Sequence, residues 1–207
     1  ILSRIDTVFQ TGTLVFGNQT EEFEWKFSQW NECSFGIGVG NCTDALYIAL
    51  KALNIGKGDE VITVSNTAVP TCTAIAMTGA VPVFVDIDEY SLMDVTKIKP
   101  AITKNTRAIL PVHLFGQCCD MDPIMELAEK HDLFVIEDCA QAHGARYKGK
   151  VAGSIGDIGC FSFYPTKIFG AYGDGGFITT QNKKLYQKMN RQRFFGMERK
   201  NMSSGHW

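Results

Sequence analysis

The sequence has no apolar run long enough to span a membrane: its apolar runs, such as those at 81–85 and 134–136, are short and strand-sized, whereas a span needs about 20 residues. It has no basic excess either. Lys and Arg number 20 against 22 Asp and Glu, a formal net charge of −2, and the pI is about 6.1. Nucleic acid as a partner would call for a basic stripe, so neither nucleic acid nor membrane is expected. The seven cysteines, at 33, 42, 72, 118, 119, 139 and 160, are odd in number and form no C-x-x-C, which indicates neither a disulfide framework nor a metal site. A reducing compartment, the cytoplasm, is the expected location. No repeat, low-complexity tract or Pro/Gly/Ser linker interrupts the chain. The N-terminal ILSRIDTVFQ lacks the basic head and apolar segment of a signal peptide, and it lacks Met, so a short preceding segment is expected to be missing.

The 207 residues are 45% hydrophobic and 20% charged, ordinary globular values that suit one domain with a real core. β-branched and aromatic runs alternate with longer amphipathic segments. That pattern predicts an α/β fold with a mostly parallel seven-stranded sheet flanked by helices. The strands fall at 35–39, 60–64, 81–85, 107–112, 133–137, 159–163 and 176–180. Helices fall at 21–30, 44–53, 71–78, 95–101, 123–131 and 184–195. Thr43 is the predicted N-cap of the second helix, which Asn54 and Gly56 close, and Asp122 before Pro123 is the predicted start of the fifth.

Ligands of open α/β sheets lie beyond the carboxyl ends of the strands, so the residues following each strand are the candidates for chemistry. Gly36, Gly38 and Gly40 fail the dinucleotide fingerprint because Asn41 occupies its last glycine position, which disfavours a nicotinamide-dependent oxidoreductase. The turn at 40–43 still delivers the chain into a helix start, where amides and the helix dipole favour an anion such as a phosphate. A tight turn with nothing bound fits that segment equally. Asp138 ends an apolar strand and needs a cationic partner or several donors; a structural hydrogen-bond role is its plain alternative. Lys167 follows Pro165 among Phe161, Phe163, Tyr164, Ile168 and Phe169. Desolvation there would lower its pKa and leave a nucleophilic amine able to form an imine, about two units corresponding to some 3 kcal/mol. An anion cup, a strand-end acid and a hydrophobically set lysine are together the parts that a pyridoxal-phosphate enzyme needs. Ser162 could add a hydroxyl to the phosphate.

The segments GNCTDALYIALKALNIGKGDEVI, GAVPVFVDID, ILPVHLFGQCCDMDPIMELAEKH, VIEDCAQAHGARYKGK and GSIGDIGCFSFYPTKIFGAYGDGGFITT carry a resemblance to the DegT/StrS-type sugar aminotransferases of pyridoxal-phosphate fold type I. The resemblance implies that residues 1–207 are the cofactor-binding large domain, without the C-terminal small domain that longer members have. It implies that Lys167 bears the cofactor and shuttles the substrate proton, and that Asp138 pairs with the pyridine nitrogen. Gln141 would reach the cofactor hydroxyl, while Thr43 and Asp44 offer amides to the phosphate with Ser162. Ala68, like Asn66, stands where many members have an aromatic, one of which stacks on the ring, and Cys42 stands where Gly is frequent. A related branch that removes a hydroxyl has His in place of Lys167. The implied reaction moves an amino group, usually from glutamate, onto a nucleotide-linked keto-sugar, for a surface polysaccharide such as lipopolysaccharide or for a glycosylated metabolite. A homodimer with a shared active site is implied too. His113, Tyr172 and His143 are candidates for the substrate side or for structure, and the alternative function is a non-catalytic regulatory or binding protein that retains the fold.

Overall fold

The computed structural model describes residues 1–197. In chain order the elements are α1 (Leu2–Thr11), α2 (Asn18–Trp30), β1 (Phe35–Val39), α3 (Cys42–Ala52), β2 (Glu60–Val64), α4 (Val69–Thr78) and β3 (Val81–Val85). They continue as α5 (Ile98–Ala101), β4 (Thr106–Ile109), α6 (Met121–His131), β5 (Phe134–Asp138), β6 (Arg146–Tyr147), β7 (Lys150–Val151), β8 (Ile158–Ser162), β9 (Gly176–Thr180) and α7 (Lys183–Gln192). Seven strands form one sheet in the order β1-β9-β8-β5-β4-β2-β3, and β6 pairs with β7 in a separate hairpin. Within this seven-stranded sheet of the described residues β9 alone runs antiparallel to the other strands. Among the described residues no helix is long and apolar enough to cross a membrane.

Successive side chains of a strand point to opposite faces, and this divides the core in two. Cys160 and Ile178 join Leu46, Leu50, Ile62, Ile109 and Ile136 under α3 and α4. Phe161 and Phe177 instead meet Phe27 of α2 and Phe163 on the other face. Burying a phenylalanine completely, as happens to Phe161 and Phe177, contributes about 1.5–3 kcal/mol. Gly36 permits the close approach of α2, since a Cβ there would lie 2.1 Å from Ser28 Oγ.

Four strands coincide with the sequence prediction residue for residue, and three are displaced at their ends. The expected 107–112 strand stops at Ile109 because Pro111 has no N–H to continue the ladder. The chain nevertheless stays extended, with Leu110 N donating to Ile62 O at 2.7 Å and Asp138 N to Pro111 O at 2.9 Å. Two predicted caps are also corrected. Asn41 rather than Thr43 caps α3, its side chain accepting from the Asp44 amide, and Asp120 rather than Asp122 stands at the cap of α6. Asn54, at φ 61°, closes α3 in the left-handed conformation, with Ile55 N donating to Leu50 O. The expected 95–101 helix is a 3₁₀ turn followed by the short α5.

Candidate active site

The loops after β1, β2, β5 and β8 meet at the carboxyl edge of the sheet around a cleft of about 380 Å³. Thr43, Ala68, Asp138, Ser162 and Lys167 all line it. So does Tyr164, the aromatic side chain among the described lining residues, while Ala68 presents only a methyl group.

The helix α3 opens onto the cleft. Asn41 Oδ1 accepts from Asp44 N at 2.8 Å, and the Ala45 amide donates to Asn41 O at 3.1 Å. The amides of Cys42 and Thr43 therefore remain without an acceptor among the described residues, at the positive end of an 11-residue helix, which is where an anion is favoured. Gly176 lies directly beneath this turn: a Cβ there would sit 2.4 Å from the Asn41 carbonyl carbon. The Cys42 thiol is pushed well above its ordinary pKa by burial, so an uncharged thiol borders the cup.

Asp138 is 4% exposed. Its Oδ2 accepts from Thr71 Oγ1 at 2.8 Å and its Oδ1 from the Ala140 amide at 3.1 Å. Burial raises its pKa above the ordinary carboxylate value, against the pull of the Ala140 amide, the Thr71 hydroxyl and the charge of Lys167. A carboxylate offers about four acceptor sites, and two protein donors leave capacity directed at the cleft. A protonated pyridine nitrogen suits that capacity, an amine stands on the same cleft, and a phosphate suits the free amides. The residues present therefore fit pyridoxal phosphate.

Asp44 and Gln141 are not among the lining residues. The Asp44 amide is consumed by the Asn41 cap, and Asp44 Oδ2 accepts from Asn41 Nδ2 at 3.0 Å. Gln141 Oε1 accepts from the Phe115 amide at 2.9 Å, across the 3₁₀ turn that follows β4. Of the apolar cage expected around Lys167, Tyr164 alone shares its cleft. Phe161 and Phe163 belong to the opposite core, and Ile168 and Phe169 line a separate apolar groove of about 510 Å³ with Phe27, Trp30 and His143. Lys167 is half-buried on the cleft instead.

The three substrate-side candidates scatter. Tyr172 is 99% exposed. His143 is packed against Phe161 and Phe163 at ring-centroid distances of 5.6 and 5.7 Å, and burial lowers its pKa to about 4. His113 is wholly buried; its Nδ1 accepts from the Cys119 amide at 3.1 Å, so Nε2 carries the proton and donates to Glu137 Oε2 at 2.9 Å. Among the described residues His113, Glu137 and Cys139 bring potential metal-ligand atoms within 4.8 Å of one another. The two His113 nitrogens and both Glu137 oxygens are already engaged.

Sequence reasoning passed over Thr71 and Thr67. Two hydroxyls at i and i+4 after the carboxyl end of a strand are a weak but readable signal.

The sequence profile of the DegT/DnrJ/EryC1/StrS aminotransferase family matches residues 1–206. A dTDP-3-amino-3,4,6-trideoxy-alpha-D-glucose transaminase of Micromonospora megalomicea subsp. nigra is 48% identical over 199 residues, covering 96% of this chain and 53% of that protein. A pleiotropic regulatory protein of Geobacillus stearothermophilus is 44% identical over 189 residues, covering 91% and 51%. The crystal structure of S. venezuelae DesV in complex with a ketimine intermediate superposes with a TM-score of 0.93 at 42% identity, covering 96% of this chain and 54% of that one. The chain spans about half the length of the relatives it matches. With a profile match over nearly every residue and a shared architecture, the chain belongs to the DegT/DnrJ/EryC1/StrS aminotransferase family.

Proposed function

We propose that the protein is a pyridoxal-phosphate-dependent aminotransferase that moves an amino group from glutamate onto a nucleotide-linked keto-sugar, producing an amino sugar for a surface polysaccharide such as lipopolysaccharide or for a glycosylated metabolite. The observation that carries this reading is the shared cleft: a buried carboxylate with acceptor capacity to spare, an amine and a pair of free helix amides open onto the same space. Residues 1–207 are the cofactor-binding large domain in this account.

When bound, pyridoxal phosphate supplies a carbonyl carbon that takes up and releases amino groups and a ring that accepts electrons. The chain supplies the rest. The Cys42 and Thr43 amides, with the Ser162 hydroxyl, bind the phosphate. Asp138 holds a proton on the pyridine nitrogen. Lys167 Nζ would anchor the group and, once the incoming amino group displaces it, would carry the proton between the substrate carbon and the cofactor carbon.

The protein works as a cytoplasmic homodimer that shares its active sites, with neither membrane nor nucleic acid as a partner. The apolar groove beside the Lys167 loop supports the dimer, since Trp30, Ile168 and Phe169 are 52%, 76% and 50% exposed around it, and exposed apolar surface of this kind marks an interaction site. The regulatory relative supports a second reading, in which the fold binds without catalysing. One experiment separates them. The full-length protein, loaded with pyridoxal phosphate, is incubated with glutamate and a panel of nucleotide-linked keto-sugars, and mass spectrometry looks for aminated product. Formation from one panel member is expected; no transfer to any of them contradicts the enzymatic reading and favours the regulatory one.

A further inference from the structure

The Asp138 carboxylate receives only two hydrogen bonds from the described protein residues, and one comes from a hydroxyl whose own partner is another hydroxyl. Thr71 Oγ1 lies 2.8 Å from Asp138 Oδ2, and Thr67 Oγ1 lies 2.8 Å from Thr71 Oγ1. The direction of both bonds follows from donor counting. An ionised carboxylate only accepts, and a hydroxyl has one proton. The Thr71 proton is therefore committed to Asp138, Thr71 can only accept from Thr67, and Thr67 is the donor. The chain runs Thr67 to Thr71 to Asp138, with both O–H dipoles aimed at the carboxylate.

Its location gives it a purpose. Thr71 is 1% exposed in the first turn of α4, and Thr67 precedes the Ala68 cap of that helix. The two threonines thus tie the loop after β2 to the last residue of β5, two segments that both line the cleft. Hydroxyls in series polarise one another, and a hydrogen bond to a charged group is the stronger kind.

We propose that Thr67 and Thr71 form a positioning relay that fixes the direction and charge of the Asp138 carboxylate toward a ring nitrogen bound in the cleft. This rests on reading the cleft as the cofactor site. Neither threonine touches reacting atoms in this account; both act through Asp138.

The test uses the full-length protein, pyridoxal phosphate carrying nitrogen-15 in its ring, and the variants Thr71→Val, Thr71→Ser and Thr67→Val. Two quantities are read: cofactor affinity by absorbance titration, and the pH at which the ring nitrogen loses its proton by NMR. Thr71→Val is expected to weaken binding about tenfold and to lower the ring deprotonation pH by about one unit, the size of a lost hydrogen bond to a charge. Thr71→Ser restores both to within about twofold of wild type. Thr67→Val, which removes the upstream donor from a less buried position, shifts both in the same direction by a smaller amount and serves alone should Thr71→Val not fold. Thr71→Val indistinguishable from wild type in both quantities overturns the relay while leaving the cofactor site standing; so does Thr67→Val indistinguishable from wild type when it stands alone. A wild-type protein that binds no pyridoxal phosphate overturns the site, and the relay with it.

Discussion

Glu137 and Asp138 are consecutive carboxylates on β5, both almost fully buried, and they face opposite sides of the strand. Glu137 is saturated. His113 Nε2 and the Gly153 amide donate to Oε2 at 2.9 Å each, and the Ile155 and Gly156 amides donate to Oε1 at 2.8 and 2.7 Å. Asp138 has two donors and a cleft. Burial works to raise both pKa values, but His113 and the loop amides overcome it for Glu137 and hold that carboxyl below its ordinary value, whereas Asp138 stays above its own. The difference separates a carboxylate that staples the 153–156 loop to the sheet from one kept short of partners for a ligand. Burial alone does not mark a functional acid; unspent acceptor capacity facing a cavity does.

The sharpest way to break this contrast is to neutralise each residue in turn. Asp138→Asn is expected to lower kcat of the full-length enzyme about 10³-fold, in line with the loss of a preorganised electrostatic partner, as steady-state kinetics would measure. The same change leaves the melting temperature of the cofactor-free protein unchanged or higher. Its folded pKa is raised above the reference 3.8, so the stability linked to this group is present below that pH and lost as pH rises through the folded value. A lower melting temperature would place Asp138 in the same class as Glu137.

Glu137→Gln is expected to cost about 3–5 kcal/mol in urea denaturation, because its new NH₂ faces amide donors and His113 loses a charged partner. The pH profile distinguishes it further. The folded pKa of Glu137 lies below the reference 4.5, so its contribution is complete above that value and disappears as pH falls through the lower folded one. A wild-type stability that does not decline in acid below pH 4.5 more steeply than that of Glu137→Gln would contradict the staple.

Smaller effects sharpen the boundary of the site. Asn41→Ala should cost about 1 kcal/mol of stability by removing the α3 cap, and because it frees the Asp44 amide it should leave phosphate-dependent cofactor binding intact. Gln141→Ala should cost about 1 kcal/mol and change cofactor affinity less than about threefold, since its oxygen is spent on the Phe115 amide. A tenfold loss of affinity would return Gln141 to the cofactor contacts that the family resemblance implies.

Much of this was legible in the sequence, and the rest failed for identifiable reasons. Strands such as 60–64 and 176–180 announce themselves through β-branched residues, and the carboxyl-edge rule reached the 40–43 turn, Asp138 and Lys167, whereas Ser162 entered as a strand residue beside the lysine turn and Ala68 through the family resemblance. The caps were placed two residues late because Thr43 and Asp122 are good capping residues within the first turns themselves. The aromatic cage around Lys167 failed because neighbours in sequence after a strand diverge to opposite faces of the sheet. Helix α1 has no buried residue and no side-chain cap, and the helical spacing of Leu2, Ile5 and Phe9 was its one readable signal. The β6–β7 hairpin, two residues per strand around Lys148 and Gly149 at φ 49° and 88°, is too short for any periodicity.

The most direct test is to load the full-length protein with pyridoxal phosphate, reduce it with borohydride and map the modified peptide by mass spectrometry. Modification of Lys167, lost together with the visible absorbance in Lys167→Ala, is the predicted result. Modification of another lysine, or none in a protein that is correctly folded, would contradict the placement of the amine across the cleft from Asp138.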